Sequence, residues 1–143
     1  MYTVDASVWV NAFDQREPGH DTSREVLERL RDRALPVFVP NLLLVEVAGA
    51  ISRTRDNPAQ AQAFATNLLN LPNVIFVPLD EGLTIQALAL AAQHRLRGAD
   101  AVYATVAAQS GCTLISLDNE HLTRLTGIVP TCTPAEALTD LTP

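Results

Sequence analysis

A chain of 143 residues is long enough for one domain with a real core and too short for two. Its 48% hydrophobic and 18% charged residues, with six Gly and nine Pro spread along the chain, exclude disordered, collagen-like and low-complexity classes. Sixteen acids against ten bases leave a formal charge of -6, whose field repels a nucleic-acid backbone, so a phosphodiester substrate needs a local source of positive charge. All ten bases are arginine, and the absence of lysine excludes a P-loop, a Schiff-base nucleophile and a lysine-dependent phosphoacceptor domain.

Tyr2 to Val4 is short and β-prone and ends at Asp5, after which Val8, Trp9, Val10 and Phe13 fit one helical face. Thr22 with Glu25 reads as a capping box for a surface helix whose stripe is Val26, Leu27 and Leu30, fading in the basic stretch Arg29 to Arg33. Val37-Phe38-Val39, between two prolines, reads as a second strand, and Asn41 as the cap of an apolar helix carrying Leu42, Leu43, Val45, Glu46 and Ala50. Asn57-Pro58 with Gln60 launches a helix ending near Asn70, and Val74 to Val77 is the next strand. Asp80 caps a helix running to about Arg95, and Asp100 caps another from Ala101 to Gln109 that Gly111 terminates. Thr113 to Ser116 reads as a buried strand, Asp118 opens a short helical segment, Ile128-Val129 adds an edge strand, and Thr133 to Glu136 forms a capping box. Short strands without polar alternation, interleaved with helices, predict one α/β domain over 1–143 with a parallel sheet buried on both faces.

Ligands of such sheets bind beyond the carboxyl ends of the strands. Asp5, Asp100 and Asp118 stand at strand ends or helix starts, and Glu46 follows just after the second strand. Each of the three aspartates also suits a helix N-cap. Glu46 lies within the apolar run Leu42 to Ala48, where burying an unpaired charge costs on the order of several kcal/mol and demands a cation. Convergent carboxylates cannot all ionise without a compensating charge, and oxygen-only ligands suit Mg²⁺ or Mn²⁺. An ion so held suits phosphodiester hydrolysis. The Ser7 hydroxyl either orients a carboxylate or water on that rim or caps the helix from Val8 to Phe13.

His20, His94 and His121 show no ligand spacing and are expected at the surface, which disfavours zinc. Cys112 and Cys132 read as reduced, small core residues. With no charged leader before an apolar run and no ~18-residue apolar stretch, the protein is expected in the cytoplasm, unattached to membrane.

The pattern Val4-Asp5-Ala6-Ser7, Glu46 in an apolar helix, Asp100-Ala101 opening an alanine-rich helix, and Leu114-Ile115-Ser116-Leu117-Asp118 resembles the PIN-domain nucleases. Within them it is most similar to the VapC-type toxins of toxin-antitoxin operons. The resemblance implies a three-layer α/β/α sandwich with a central parallel sheet and a Mg²⁺- or Mn²⁺-dependent endoribonuclease cutting single-stranded RNA. It further implies a homodimer whose groove is blocked by a cognate antitoxin peptide. Position by position, Asp5, Glu46 and Asp100 match the family's core metal ligands, Asp118 its more variable fourth acid, and Ser7 and Ser116 its hydroxyl positions. Glu120 either supplements the fourth acid or faces solvent.

With no lysine to meet RNA, Arg95 and Arg97 are the first candidates for phosphate contact and Arg53 and Arg55 the next, although all four also suit helix C-termini. The apolar stretches Leu42 to Ile51 and Leu83 to Ala92 read as core first, with any surplus available to a dimer or antitoxin interface. An RNA-processing nuclease without a toxin role and a non-catalytic PIN-like binding module stay as alternatives. A phosphatase of the haloacid-dehalogenase kind does not, because Ser7 stands where its second aspartate belongs and its lysine is missing.

Overall fold

The chain alternates strands and helices in the order β1 (Tyr2–Val4), α1 (Ala6–Phe13), α2 (His20–Asp32), β2 (Val37–Pro40), α3 (Leu42–Arg55), α4 (Pro58–Leu68) and β3 (Val74–Val77). It continues through α5 (Glu81–His94), α6 (Gly98–Ser110), β4 (Thr113–Ile115), α7 (Asn119–Arg124), β5 (Thr131–Cys132) and α8 (Pro134–Asp140). This is a computed structural model, and it describes residues 1–142. The strands form one sheet in the order β3-β2-β1-β4-β5, with every pairing parallel. β1 is central: Tyr2 pairs with Val37 on one side, and Thr3 and Val4 pair with Leu114 and Ile115 on the other.

Consecutive strand residues point to opposite faces, so the complete burial of Thr3 with Val4 and of Leu114 with Ile115 requires cover on both sides. α6 supplies one cover, lying across β1, β2 and β4 with α5 beside it. Its alanine-rich sequence lets it approach the sheet closely, and every residue from Asp100 to Ala107 is buried. α1, α2, α3, α4 and α8 pack against one another in the other layer, giving the three-layer α/β/α arrangement. The strand order changes direction at β1, which opens a crevice at the carboxyl ends of β1 and β4.

Most helix starts follow the local signals. Asp80 Oδ1 accepts from Leu83 N at 2.8 Å, Asn57 Oδ1 from Gln60 N at 3.0 Å, and Thr133 with Glu136 forms the reciprocal capping box. Gly111 ends α6 in the left-handed conformation, at φ 60°.

Four expectations are corrected. α2 starts at His20 rather than after Thr22, because Gly19 reaches φ 81° and turns the chain into the helix earlier. Asn41 has helical backbone angles and makes no side-chain cap, its N–H instead donating to Val77 O at 3.0 Å and prolonging the sheet. Asp100 is the third residue of α6, not its cap, since the extended Arg97 precedes the helix. The edge strand is Thr131–Cys132 rather than Ile128-Val129, whose N–H groups are used in a turn closing on Leu125 O.

The free Cys112 and Cys132 are both buried, as expected. The two apolar helices are core on one side only. Leu43, Val47 and Ile51 of α3 are buried while Val45 is 70% exposed, and Leu83 and Ala87 of α5 are buried while Ile85 and Leu88 are exposed. No helix among the described residues is long and apolar enough to cross a membrane.

Asp14, at the end of α1, ties that helix to the last turn of α3. Its buried carboxylate accepts from Arg16 Nε at 3.1 Å and Nη2 at 3.0 Å and from Arg55 Nη2 at 3.0 Å. Hydrogen bonds from Arg16, with the charges of Arg16 and Arg55, hold Asp14 down at about 2. A depressed carboxylate stabilises the fold above its unfolded value near ~3.9 and loses that contribution as pH falls through the folded value. Asp14→Asn is therefore expected to melt below wild type at neutral pH, with the gap closing on acidification from about pH 4 to about pH 2. Thermal melts across that range check it, and a gap independent of pH contradicts it.

Candidate active site

The β1–β4 pairing continues one residue past the strands, with Asp5 N donating to Ile115 O at 3.0 Å. That brings Asp5 and Ser116 side by side at the crevice, where both are buried. Asp5 Oδ2 accepts three bonds: from Ser7 N at 3.2 Å, from Ser7 Oγ at 2.5 Å and from Ser116 Oγ at 3.2 Å. Ser7 is thus inside α1, and the cap is Asp5. Each hydroxyl also accepts a backbone N–H from the loop after β4, Ser7 from Leu117 at 3.1 Å and Ser116 from Asp118 at 3.0 Å. Asp118 in turn caps α7, accepting from Glu120 N at 2.8 Å.

α6 and α3 bring the other two acids. Asp100 is 7% exposed and accepts from Arg97 Nε at 3.1 Å, while Arg97 Nη2 reaches Asp118 Oδ2 at 2.8 Å and Glu120 Oε2 at 3.3 Å. The Glu120 side chain is 53% exposed, so it faces solvent within this ion-pair network. Glu46 is half-buried on α3, and Tyr103 Oη donates to its Oε2 at 2.8 Å.

Burial, then the charges of Asp5 and Asp100, push the Glu46 carboxyl above its ordinary range, against the opposing pull of the Tyr103 bond and His121. Glu46 therefore lies within electrostatic reach of both Asp5 and Asp100. Tyr103 is fully buried, and burial together with Glu46 and Asp5 holds its hydroxyl far above the usual tyrosine range, so it stays a donor. Burial also pushes Asp118 upward, but the Glu120 N–H and the Arg97 guanidinium outweigh it and hold the group low.

His121 corrects the expectation of three surface histidines. It is 3% exposed, with Nδ1 3.2 Å from Ser116 Oγ and 3.8 Å from Asp5 Oδ1, and Nε2 2.7 Å from Asp100 Oδ1. That last contact is an ion-pair distance without hydrogen-bond direction, leaving Nε2 a buried polar atom with no hydrogen-bond partner. His20 is also buried, against Asn11 O at 3.0 Å, whereas His94 is exposed as expected.

Residue spacing alone misses Tyr103 and His121. The signal available was helical: Tyr103 follows Asp100 by three on α6, and His121 follows Asp118 by three at α7. Arg95 sits apart from these pairs, ending α5 in the left-handed conformation with its carbonyl accepting from Arg124 Nη1 at 3.2 Å.

An open groove of about 560 Å³ runs from Ser7 and Glu46 past Asn11 and Gly49 to Arg53 and Arg55. The Arg53 guanidinium covers Gly49, where a Cβ would stand 3.2 Å from Nη1. Among the described residues no three His, Cys, Asp or Glu side chains already converge closely enough to grip a metal ion. Asp5 is turned to serines, Glu46 to a tyrosine, and Asp100 and Asp118 to one arginine.

The structure is that of an α/β protein with a buried aspartate at the switch point of its parallel sheet and acids of three further segments near the same crevice. The PIN domain model matches residues 2–127, and the chain belongs to the PIN-domain family. No curated protein sequence matches it. Similar solved structures include the VapC20 toxin of Mycobacterium tuberculosis, described as cleaving the sarcin-ricin loop, with TM-score 0.73 and 18% identity over 85% of this chain and 92% of that one. VapBC2 of Rickettsia felis, bound to a fragment of its promoter DNA, has TM-score 0.69 and 14% identity over 92% and 97%. PAE2754 of Pyrobaculum aerophilum has TM-score 0.69 and 21% identity over 98% and 93%. At these identities the likeness is one of fold.

Replacing Tyr103 with Phe keeps the ring in the core and deletes the one bond that lowers Glu46. The Glu46 carboxyl is then expected to titrate at higher pH than in wild type, read by carbon-13 NMR. A downward or absent shift contradicts the Tyr103–Glu46 bond.

Proposed function

We propose that this protein is a Mg²⁺- or Mn²⁺-dependent endoribonuclease and the toxin of a toxin-antitoxin pair. The observation that carries the nuclease reading is the placement of Asp5, Asp100 and Asp118 around the crevice with Glu46, whose carboxyl is raised by its burial and by the charges of Asp5 and Asp100, in a chain without lysine. A divalent ion offsets those charges, and the oxygen-only donors fit Mg²⁺ or Mn²⁺. Asp5, Glu46 and Asp100 would hold it, with Asp118 beside them. When bound, such an ion polarises an attacking water and neutralises charge developing on the phosphate. It also supplies the local positive charge that a net -6 otherwise denies an RNA substrate.

The remaining parts are performed by the chain itself. Ser7 and Ser116 fix the orientation of Asp5, and Tyr103 that of Glu46. Single-stranded RNA enters along the groove, where Arg53 meets phosphate, and Arg95 and Arg97, at the α5–α6 turn outside the groove lining, are further contacts. Arg55 is committed to Asp14 and acts on the groove wall instead.

The toxin role is supported by the PIN-domain family match together with the VapC20 and VapBC folds, and it places a cognate antitoxin peptide over the same groove. The exposed Ile85 and Leu88 on α5 support a homodimer through that helix. Leu88→Glu is then expected to shift the protein to a monomer in sedimentation, and unchanged mass would contradict that interface.

Asp5→Asn tests the catalytic reading. It should keep the fold by circular dichroism, lose Mn²⁺-dependent thermal stabilisation, and abolish cuts mapped on a total-RNA pool. Full cleavage by that variant would overturn the nuclease. Growth arrest on expression, relieved by the small protein encoded beside it, separates a toxin from an RNA-processing enzyme.

A further inference from the structure

Among the described residues Arg97 is the one arginine that bridges Asp100 and Asp118. It stands at the extended start of α6, and its guanidinium spans Asp100 on its own helix and Asp118 across 21 residues of sequence, at 3.1 and 2.8 Å. Glu120 Oε2 lies 3.3 Å from the same Nη2. A planar fork can serve two carboxylates at once, which a point-charge ammonium does less well. The Arg97 side chain is 57% exposed, so packing does little to pin it, and exposed ion pairs are individually weak. The neutral partners of Asp5 and Glu46, two serines and a tyrosine, contribute orientation and no charge.

We propose that Arg97 is the site's displaceable counter-cation: it clasps Asp100 and Asp118 in the metal-free protein, yields them to a divalent ion, and so sets the affinity for that ion. This rests on the metal-dependent reading above. Binding that must first open a clasp is weakened by the fraction of molecules in which the carboxylates are free. An exposed ion pair is weak, so having to open it weakens apparent affinity by up to roughly fivefold. The freed guanidinium stays beside the crevice, which places a cation there only after the ion is loaded.

Calorimetric titration of Mn²⁺ into metal-free wild type, Arg97→Gln and Arg97→Lys tests it, with thermal melts confirming that each variant is folded. Arg97→Gln is expected to bind Mn²⁺ more tightly than wild type, by up to roughly fivefold. Arg97→Lys keeps the charge and loses the fork, so it is expected to fall between the two. Equal affinities in all three proteins would overturn the inference while leaving the nuclease reading intact. So would weaker binding by Arg97→Gln, which would make the arginine a support for the acids. Lysine equal to wild type with glutamine tighter would assign the effect to net charge and overturn the clasp. Absence of Mn²⁺ uptake by every one of them would overturn the metal-dependent reading and the clasp together.

Discussion

The parallel pairing of β1 with β4 is the constraint on which the crevice depends. It joins segments 111 positions apart and sets Ser116 Oγ 3.2 Å from Asp5 Oδ2. A buried carboxylate is tolerated only when its oxygens are satisfied, and leaving one unpaired costs on the order of several kcal/mol. Asp5 meets this demand with bonds from Ser7 and Ser116, and those serines in turn accept N–H groups from Leu117 and Asp118. The same bonds that make Asp5 affordable to bury fasten the start of α1 to the loop after β4.

Capping and site formation are one geometry here rather than rival explanations. Asp5 caps α1, Asp118 caps α7, and Asp100 occupies the first turn of α6. Helix N-termini favour negative charge, so each acid gains locally from the dipole that faces it. A parallel sheet sends its helices off from the carboxyl ends of the strands, which makes those N-termini converge. Acids chosen to start helices are thereby delivered to a common crevice.

Charge within that crevice is compensated unevenly. Serine and tyrosine hydroxyls hold Asp5 and Glu46 in place but carry no charge, and Glu46 is pushed upward by its own burial and by Asp5 and Asp100. Arg97 answers Asp100, Asp118 and Glu120, and reaches neither Asp5 nor Glu46. Among the described residues, arginine compensation is therefore missing on the Asp5–Glu46 side, where His121 Nδ1, 3.8 Å from Asp5 Oδ1, is the nearest basic group, beside the mouth of the groove that Glu46 and Ser7 line.

Local spacing determined much of this molecule: the strands at Tyr2, Val37, Val74 and Thr113, the caps at Asp80, Asn57 and Thr133, and Asp5 and Asp118 at element junctions. These depend on period and on side chains reaching two or three residues along the chain, which a sequence displays directly. Where backbone conformation rather than residue type chose the start, at Gly19 and at Arg97, the local signals of Thr22 and Asp100 pointed a few residues too late. Only the tertiary structure placed Tyr103 on Glu46 across 57 positions, folded Arg97 onto Asp118, and buried His121 against Asp100 despite its polar flanks. Those contacts follow from the order of strands in the sheet, because what packs over a residue is decided by segments remote from it in the chain.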